Sequence, residues 1–295
     1  MVWSYVVKSI KWKTLKIIKE RFIFMIKKEK PKVSVIMGIY NCAGTLRESI
    51  ESILSQTYEN WEFIICDDAS TDNSYDIASQ YAEKYPNKII LIKNDSNLRL
   101  ANSLNNCLEL ATGKYIARHD GDDISLPERF EKQVDFLEKN LEYQVVGSSM
   151  IAFDEKGIRG TRVMSGVSQA SILAYSTPFC HATIMMRAET YDSLRGYRVC
   201  RQTRRMEDID LWIRFFEKGY QGYNLEEPFY MVREDENAYK RRKFIYSIDN
   251  AFLIFQACRR LNLSLKSYMF VLKPIISSLT PNFIMNLYHK KSLSK

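Results

Sequence analysis

"KVSVIMGIYNCAGTLRESIESILSQTYENWEFIICDD" (residues 32–68) opens on a β-rich apolar run, passes through a segment of helical periodicity, and closes on a second β-rich run that ends in two aspartates. Two further runs, "NKIILIKN" (87–94) and "KYIARHD" (114–120), repeat the pattern, each bounded by Asn, Asp, Gly or Pro. Between the runs "TLRESIESILSQ", "TDNSYDIASQYAEKY" and "LANSLNNCLELA" carry the 3.6-residue period, with Thr45 and Thr71 or Asp72 suited to cap the first two. Strand and helix alternating at this pitch predict an α/β fold with a mostly parallel sheet covered by helices on both faces. Ligands of such sheets sit beyond the carboxyl ends of the strands. Tyr40, Asp67, Asp68 and the aspartates at 120–123 all fall at such ends, on one rim. Downstream, "ERFEKQVDFLEKN" reads as a helix with Pro127 at its first position, "YQVVGSSMIAF" and "HATIMMR" as strands, and "MEDIDLWIRFFEKG" as a helix. A long helix should begin near Ala238.

The chain has 295 residues, 46% of them hydrophobic, enough to bury a core of ordinary size. Residues 1–30 carry +7 and residues 239–295 carry +10, so the total of +8 leaves −9 on the body. An acidic body between cationic ends makes a poor phosphate-tracking groove, which argues against nucleic acid. Both ends mix apolar residues with regularly spaced cations: Trp3, Val6, Val7, Ile10, Ile17 and Ile18 fall on one arc, with Lys8, Lys16 and Lys19 opposite. Such segments suit the headgroup layer of an anionic leaflet; the alternative is helices packed on the protein with solvated basic faces. The organisation expected is a basic amphipathic segment over 1–30, an α/β domain over 31–238 with halves at 31–125 and 126–238, and a basic helical membrane-association segment over 239–295. No run approaches a spanning helix; "FIYSIDNAFLIFQA" is short and carries Asp249. Six scattered cysteines form neither a C-x-x-C pair nor a zinc spacing and read as reduced thiols of a cytosolic context.

Asp120, Asp122 and Asp123 stand within four positions. Crowded carboxylates repel, so they are solvated or neutralised by a cation. A Mg²⁺ or Mn²⁺ ion held by one or two carboxylates, with substrate phosphate oxygens completing its shell, fits Asp120-x-Asp122 at a strand end, with Gly121 allowing a sharp turn and Asp123 open to a simple capping role.

With these motifs in place, "VSVIMGIYN", "LRESIESILSQTYENWEFIICDDASTDNS", "GKYIARHDGDDISLPERFEKQVDFLE", "PFCHATIMMR" and "EDIDLWIRF" resemble, in order, the family 2 inverting glycosyltransferases of GT-A fold, especially bacterial enzymes of capsule, exopolysaccharide or O-antigen synthesis. The resemblance covers residues 33–232. It implies a nucleotide-sugar donor, usually a UDP-sugar, and a divalent metal, Mn²⁺ or Mg²⁺. It puts Gly38, Tyr40 and Asp68, with Asp67 adjacent, at the base and ribose, Asp120 near the ribose, and Asp122 on the metal, with Asp120 as a second metal candidate. The catalytic base falls on Asp208, beside Glu207, and His181 is a motif residue near the donor phosphates or the acceptor. The acceptor implied is a saccharide, carried on a polyprenyl diphosphate, which would place the enzyme in the cytoplasm, peripheral on the inner face of the cell membrane.

The chemistry itself asks for such residues. Departure of a nucleoside diphosphate needs its charge stabilised, and attack from the opposite face by a hydroxyl needs one carboxylate base. Other readings stay open from the residues alone: Asp208 as mere helix N-terminal charge, Asp210 or Glu207 as the base, and His181 as a structural histidine. A nucleotidyltransferase-like metal enzyme, or an inactive membrane-bound scaffold, are the alternatives at the level of function. Arg118 should balance the aspartates, His119 should be packed, and Arg187 could meet a diphosphate or a rim acid. "RQTRRMED" could form a cationic lip or an exposed loop. Relatives commonly carry Gly where "NDSNLRLANS" has Arg99, which puts the backbone of that loop in question.

Overall fold

A computed structural model describes residues 30–234 and 244–279. The described residues from Lys32 onward belong to one compact unit; the expected amphipathic arc of the first thirty residues, the onset of the helix near Ala238 and the last sixteen residues lie outside the described residues.

The predicted alternation is realised as β1 (Val33–Ile39), α1 (Ala43–Leu54), β2 (Trp61–Asp67), α2 (Ser74–Lys84), β3 (Ile89–Lys93), α3 (Leu100–Leu110) and β4 (Tyr115–Arg118). The chain continues through β5 (Ile124–Ser125), α4 (Arg129–Lys139), β6 (Tyr143–Asp154), β7 (Gly157–Arg162), β8 (Gly166–Val167), β9 (Met185–Arg187), α5 (Ala188–Leu194), α6 (Glu207–Glu217), β10 (Gln221–Arg233), α7 (Phe244–Arg260) and α8 (Lys273–Leu279). Strand order is β3-β2-β1-β4-β9-β6-β10-β5. The first four strands pair in parallel. Beyond β4 the sheet becomes mixed: β9 is antiparallel to both β4 and β6, while β6 and β10 pair in parallel.

The two-residue period of β1 splits the core. Val33, Val35, Met37 and Ile39 join α1, α2 and α4 in one buried cluster, whereas Ile36, with Ile64 and Ile116, joins α3, α5, α6 and α7 in the other. Chain reversal after β3 puts α3 on the face opposite α1 and α2, as right-handed crossovers require. α7 buries Leu253 and Ala257 in that second cluster. Among the described residues no helix is long and apolar enough to cross a membrane. All six cysteines are free thiols.

Several local expectations shift. Helix α1 starts after Cys42 and α2 after Asn73, so neither threonine is the cap. Asp72 caps both helices at once, its Oδ2 accepting from Ala43 N (3.0 Å) and its Oδ1 from Ser74 N (3.0 Å). Pro127 lies two residues before α4, in the turn preceding it. "HATIMMR" is a strand only in its second half; His181–Thr183 is a 3₁₀ turn. Gly121 has no positive φ. A Cβ there would meet Cys42 Sγ at 2.9 Å, so close packing of the two loops, not a sharp turn, demands glycine.

Arg129 and Gln133 project from α4 into the core, fully buried. Arg129 Nη2 donates to the carbonyls of Arg118 (2.9 Å), Ala182 (3.2 Å) and Ile184 (3.1 Å), and Nη1 to Ser125 Oγ (2.8 Å). Gln133 Nε2 donates to Thr183 O (2.8 Å). The helix thus ties the end of β4 to the 3₁₀ turn. Burial lowers Arg129 to about 10, which leaves it charged at neutral pH. Arg129→Met should strand several buried carbonyls and cost about 3–5 kcal/mol, read as a lower denaturation midpoint in urea at constant slope. A loss under about 1 kcal/mol would show that other groups satisfy those carbonyls.

Candidate active site

The rim forms where three loops meet beyond β1, β2 and β4. Asn41 Oδ1 accepts from Thr71 N (2.8 Å), and Cys42 N donates to Ser74 Oγ (2.8 Å), which fastens the loop after β1 to the loop after β2. Tyr40 projects from this junction, half-exposed. Gly38 serves packing as well as approach: a Cβ would meet Leu100 Cδ1 at 3.0 Å and Ser103 Cβ at 3.1 Å, so its hydrogen lets α3 settle on the sheet.

Asp68 is a latch. Its Oδ1 accepts from Asn94 Nδ2 (2.8 Å) and Leu98 N (2.8 Å), and its Oδ2 from Arg99 N (2.8 Å), which pins the loop after β3. Arg99 there adopts φ 76 and ψ 164, a region almost confined to glycine. The glycine-type conformation survives with arginine in place, held by Asp68. Asp67 is buried outright; its Oδ2 accepts from Ser70 N (3.1 Å) and its Oδ1 has no partner. Tyr40, Asp68 and residues 97–102 form one wall of a cleft of ≈ 660 Å³. The opposite wall is the segment before α6, with Arg201, Arg204, Arg205 and Glu207. The arginine run is therefore part of the cleft wall. Chain periodicity carried no sign of this, since the segment is irregular and its partners lie a hundred residues upstream.

The three adjacent aspartates divide their roles. Asp120 pairs with Arg118 Nη2 (2.8 Å), and its amide donates to Tyr230 Oη (3.1 Å). Asp123 turns inward, accepting from Arg233 N (2.8 Å), so it latches β10 and caps no helix. Burial, and next the Asp120 and Asp122 charges, push it well above the usual carboxylate range. Asp122 stays exposed, while Arg233 Nε reaches only its backbone carbonyl (3.0 Å). Loss of surrounding water, and then the Asp120 carboxylate, raise it. Of the two that do not turn inward, Asp120 is paired with Arg118, whereas Asp122 bonds no side-chain cation among the described residues, so a hard cation there would offset its charge. Among the described residues no three His, Cys, Asp or Glu side chains are disposed to hold an ion alone. Asp122, with Asp120, fits a cation whose remaining ligands are substrate oxygens and water.

Glu207 and Asp208 open α6. Burial, then the Asp208 charge, raises Glu207 to about 6, and Arg118 and Asp120 also act on it, so the helix start lies beside the aspartate cluster. Burial raises Asp208 as well, against a hydrogen bond from Ile209 N (2.8 Å). Asp210 is withdrawn, paired with Arg198 (3.0 Å) and Arg214 (2.7 Å), and is no base. His181 packs edge-on to Trp212 and Tyr197, with Nε2 on Tyr197 Oη (2.9 Å) and Nδ1 unpartnered. Burial, and then Arg118, hold it well below its ordinary value, so it is neutral. His119 is packed between Ser49 and Ser125 and lowered by burial to about 3. Arg187 faces away from the rim, donating to Leu137 O (2.7 Å) and Tyr143 O (3.0 Å) at the other end of the sheet.

Residues 34–195 match the description Glycosyl transferase family 2. The chain belongs to this family. It is 63% identical over 88% of its length to EpsE of Bacillus subtilis (strain 168), a protein named as a glycosyltransferase, and spans 94% of that relative. It is 33% identical, over 68% of this chain and 77% of the relative, to the Escherichia coli UDP-Glc:alpha-D-GlcNAc-diphosphoundecaprenol beta-1,3-glucosyltransferase WfaP. Among solved structures, TarS 1-349 of S. aureus in complex with UDP-GlcNAc matches at a TM-score of 0.63 and 17% identity, covering 84% of this chain and 71% of that one. The mannosyltransferase PcManGT of Pyrobaculum calidifontis, in complex with GDP-Man and Mn²⁺, matches at 0.56 and 19%, covering 90% and 81%. At those identities the likeness bears on the fold, which is GT-A. The protein is a glycosyltransferase, and the nucleotidyltransferase alternative falls away.

The Arg99 conformation gives a direct test. Arg99→Gly should raise stability by about 1 kcal/mol, what remains of a strain of about 1–3 kcal/mol after the larger unfolded-state entropy of glycine. Chemical denaturation of the two proteins measures it, and a less stable glycine variant would show that the loop is unstrained.

Proposed function

We propose that this protein transfers a sugar from a nucleotide-sugar, a UDP-sugar, to a hydroxyl of a saccharide acceptor on a lipid diphosphate, with inversion, in the synthesis of a bacterial surface polysaccharide. The observation that carries the reading is the chain of neighbouring carboxylates from Asp122 through Asp120 to the Glu207–Asp208 pair, of which Glu207 lines a cleft whose far wall bears Tyr40 and Asp68. The printed names of WfaP and of the UDP-GlcNAc complex support the donor and acceptor classes. Tyr40 and the loop pinned by Asp68 would hold the nucleoside, with Gly38 and Asp67 beneath them and Asp120 near the ribose. Arg118 holds Asp120 in place. Asp208 would take the proton of the acceptor hydroxyl as its oxygen attacks the anomeric carbon from the face opposite the leaving diphosphate. Asp122 and Asp120 would hold Mn²⁺ or Mg²⁺, which when bound stabilises the charge on the departing diphosphate. His181, enclosed beneath the site, would support the wall through Tyr197 and Trp212.

Association with the inner face of the membrane, from the cytoplasm, belongs to the same proposal, as does the division at residues 30, 125 and 238. The cationic ends support it. So do exposed apolar side chains on one side of α7 (Phe244, Ile248, Phe252, Phe255) and on α8 (Ile276, Leu279).

Asp208→Asn should leave UDP affinity intact and cut turnover by roughly 10² or more. Because a base must be ionised, transfer should fall on the acid side, at a pH above the ordinary carboxylate range because burial raises Asp208, and a rate that holds down to the ordinary carboxylate value would count against Asp208 as the base. Near-normal turnover in Asp208→Asn would pass the role to Glu207.

Asp122→Asn should weaken UDP binding far more in Mn²⁺ than in EDTA, measured by titration calorimetry; equal weakening in both would remove the metal role. With vesicles, the protein should float with anionic lipid, bind neutral lipid weakly and be only partly released by salt, since each surface-close cation adds about 1 kcal/mol. Equal partitioning to both lipids, or none, would mean that the terminal segments pack on the protein.

A further inference from the structure

A second cavity, ≈ 580 Å³, lies behind the first turn of α6. Met206 and Ile209 line it, Glu207 lines the donor cleft, and Arg205 is the one described residue that lines both. The turn is thus a wall between two spaces, and it keeps a ligand of the second from the donor's reacting carbon. What such a ligand can act on is the wall itself, through Arg205.

The cavity's chemistry suits an anion that also carries hydroxyl groups. Its charged lining residues are Arg205 and Lys273, and no acid lines it. The Arg205 guanidinium stands over the Tyr246 ring at 5.5 Å, and Lys273 Nζ donates to Tyr175 O (2.7 Å), which holds both cations at the walls. Thr177, Ser247 and Ser278 add hydroxyls to the lining. A guanidinium and an ammonium in a space without carboxylates suit a phosphate. A phosphate ester's oxygens accept, however, and the cavity also holds an acceptor without a donor: Asn250 Oδ1 is buried and has no hydrogen-bond partner. A buried acceptor left so costs about 1–3 kcal/mol, and a ligand hydroxyl would relieve it. The volume falls in the range of about 300–1,000 Å³ usual for small-ligand sites.

Arg205 makes the wall responsive. Its φ is 63, a left-handed backbone that a non-glycine residue keeps only where its surroundings hold it, and here its side chain lies against Tyr246 of α7. Anions on the two sides of the wall draw on this same guanidinium. Once engaged by a phosphate in the second cavity, it offers less charge to a nucleotide diphosphate in the cleft, so the two ligands oppose each other.

We infer that this cavity is an effector site for a phosphorylated polyol, and that its occupant lowers donor affinity through Arg205. Lys273 and Arg205 take the phosphate and Asn250 a hydroxyl. Two sources share this chemistry: a soluble sugar or glycerol phosphate, and the headgroup of a phosphatidylglycerol. For the second, Tyr175 marks a way in, since it lines the cavity, is half-exposed, and packs at 5.6 Å from the exposed Phe270 ring. The site itself stands apart from the transferase reading; the direction of the coupling rests on it.

Glycerol 3-phosphate, titrated by calorimetry without added metal into the full chain, is the probe. It should bind, and inorganic phosphate, which lacks the polyol, should bind more weakly. At saturation it should weaken UDP binding about fivefold and no further, and saturating UDP should weaken it by the same factor. Lys273→Met, which keeps the stem and removes the charge, should weaken glycerol 3-phosphate about tenfold at unchanged UDP affinity. Ser278→Trp, which fills the cavity without touching charge, should weaken it as well. Arg205→Met should weaken both ligands and abolish their opposition. Dihexanoylphosphatidylglycerol below its micelle concentration separates the sources: tighter binding than glycerol 3-phosphate assigns the lipid headgroup, and equal or weaker binding assigns the soluble phosphate. Absence of binding by both phosphates, a UDP affinity that falls without limit as glycerol 3-phosphate rises, or wild-type affinity in both Lys273→Met and Ser278→Trp would overturn the assignment. UDP titrated alone reports on the donor cleft, so a failure of the transferase reading would show there and leave the cavity's own titration standing.

Discussion

Arg129 is a buried guanidinium surrounded by carbonyls and a hydroxyl, and the site depends on it. An isolated charge in a protein interior is costly unless its donors are satisfied. Here they are satisfied by the main chain at two separate places, the end of β4 and the 182–184 turn, so the cost of moving either is the cost of orphaning the cation. Its plane also lies over the Tyr230 ring at 4.8 Å, and Tyr230 in turn receives the Asp120 amide. The position of the aspartate cluster is thus set from below, through a helix that contributes nothing to the cleft itself.

Above that foundation, carboxylates do two kinds of work. Asp68, Asp72 and Asp123 spend their oxygens on backbone amides of neighbouring loops and helices, turning three strand ends into one rigid rim. Asp122 and Asp208 bond no side-chain cation among the described residues. The first group raises the second to usefulness: a base or a cation ligand must be held still, and what holds it here is a layer of hydrogen bonds to charged acceptors, each stronger than a neutral one.

The parallel half was legible in the sequence because each strand is a short apolar run closed by polar residues, and each helix between shows its period. The rim followed from that, since strand ends converge whatever the loops do. The mixed half was less so. β5 has two residues and owes its existence to pairing with Tyr230 and Met231, a hundred residues away. The 3₁₀ turn at His181 reads as strand by composition, but Arg129 and Gln133 hold its carbonyls in another shape. The same distance left Arg201, Arg204 and Arg205 open between a cationic lip and an exposed loop, and the structure puts them in the cleft wall. Asp208 and Asp122 stand out as candidates by pattern alone; the pairing that withdraws Asp210 does not, because its partners Arg198 and Arg214 could equally have faced solvent.

The arginine in the glycine-type conformation bears on how often the donor rim opens. Strain held in a closed loop lowers the free energy needed to leave that state, and about 1.4 kcal/mol of it multiplies the open population tenfold. A nucleotide that contacts the loop through Asp68 and Arg99 would close it again by mass action. Residue 99 would therefore act as a set-point: the side chain at that one position would adjust the fraction of time this loop spends open, without altering the carboxylates across the rim.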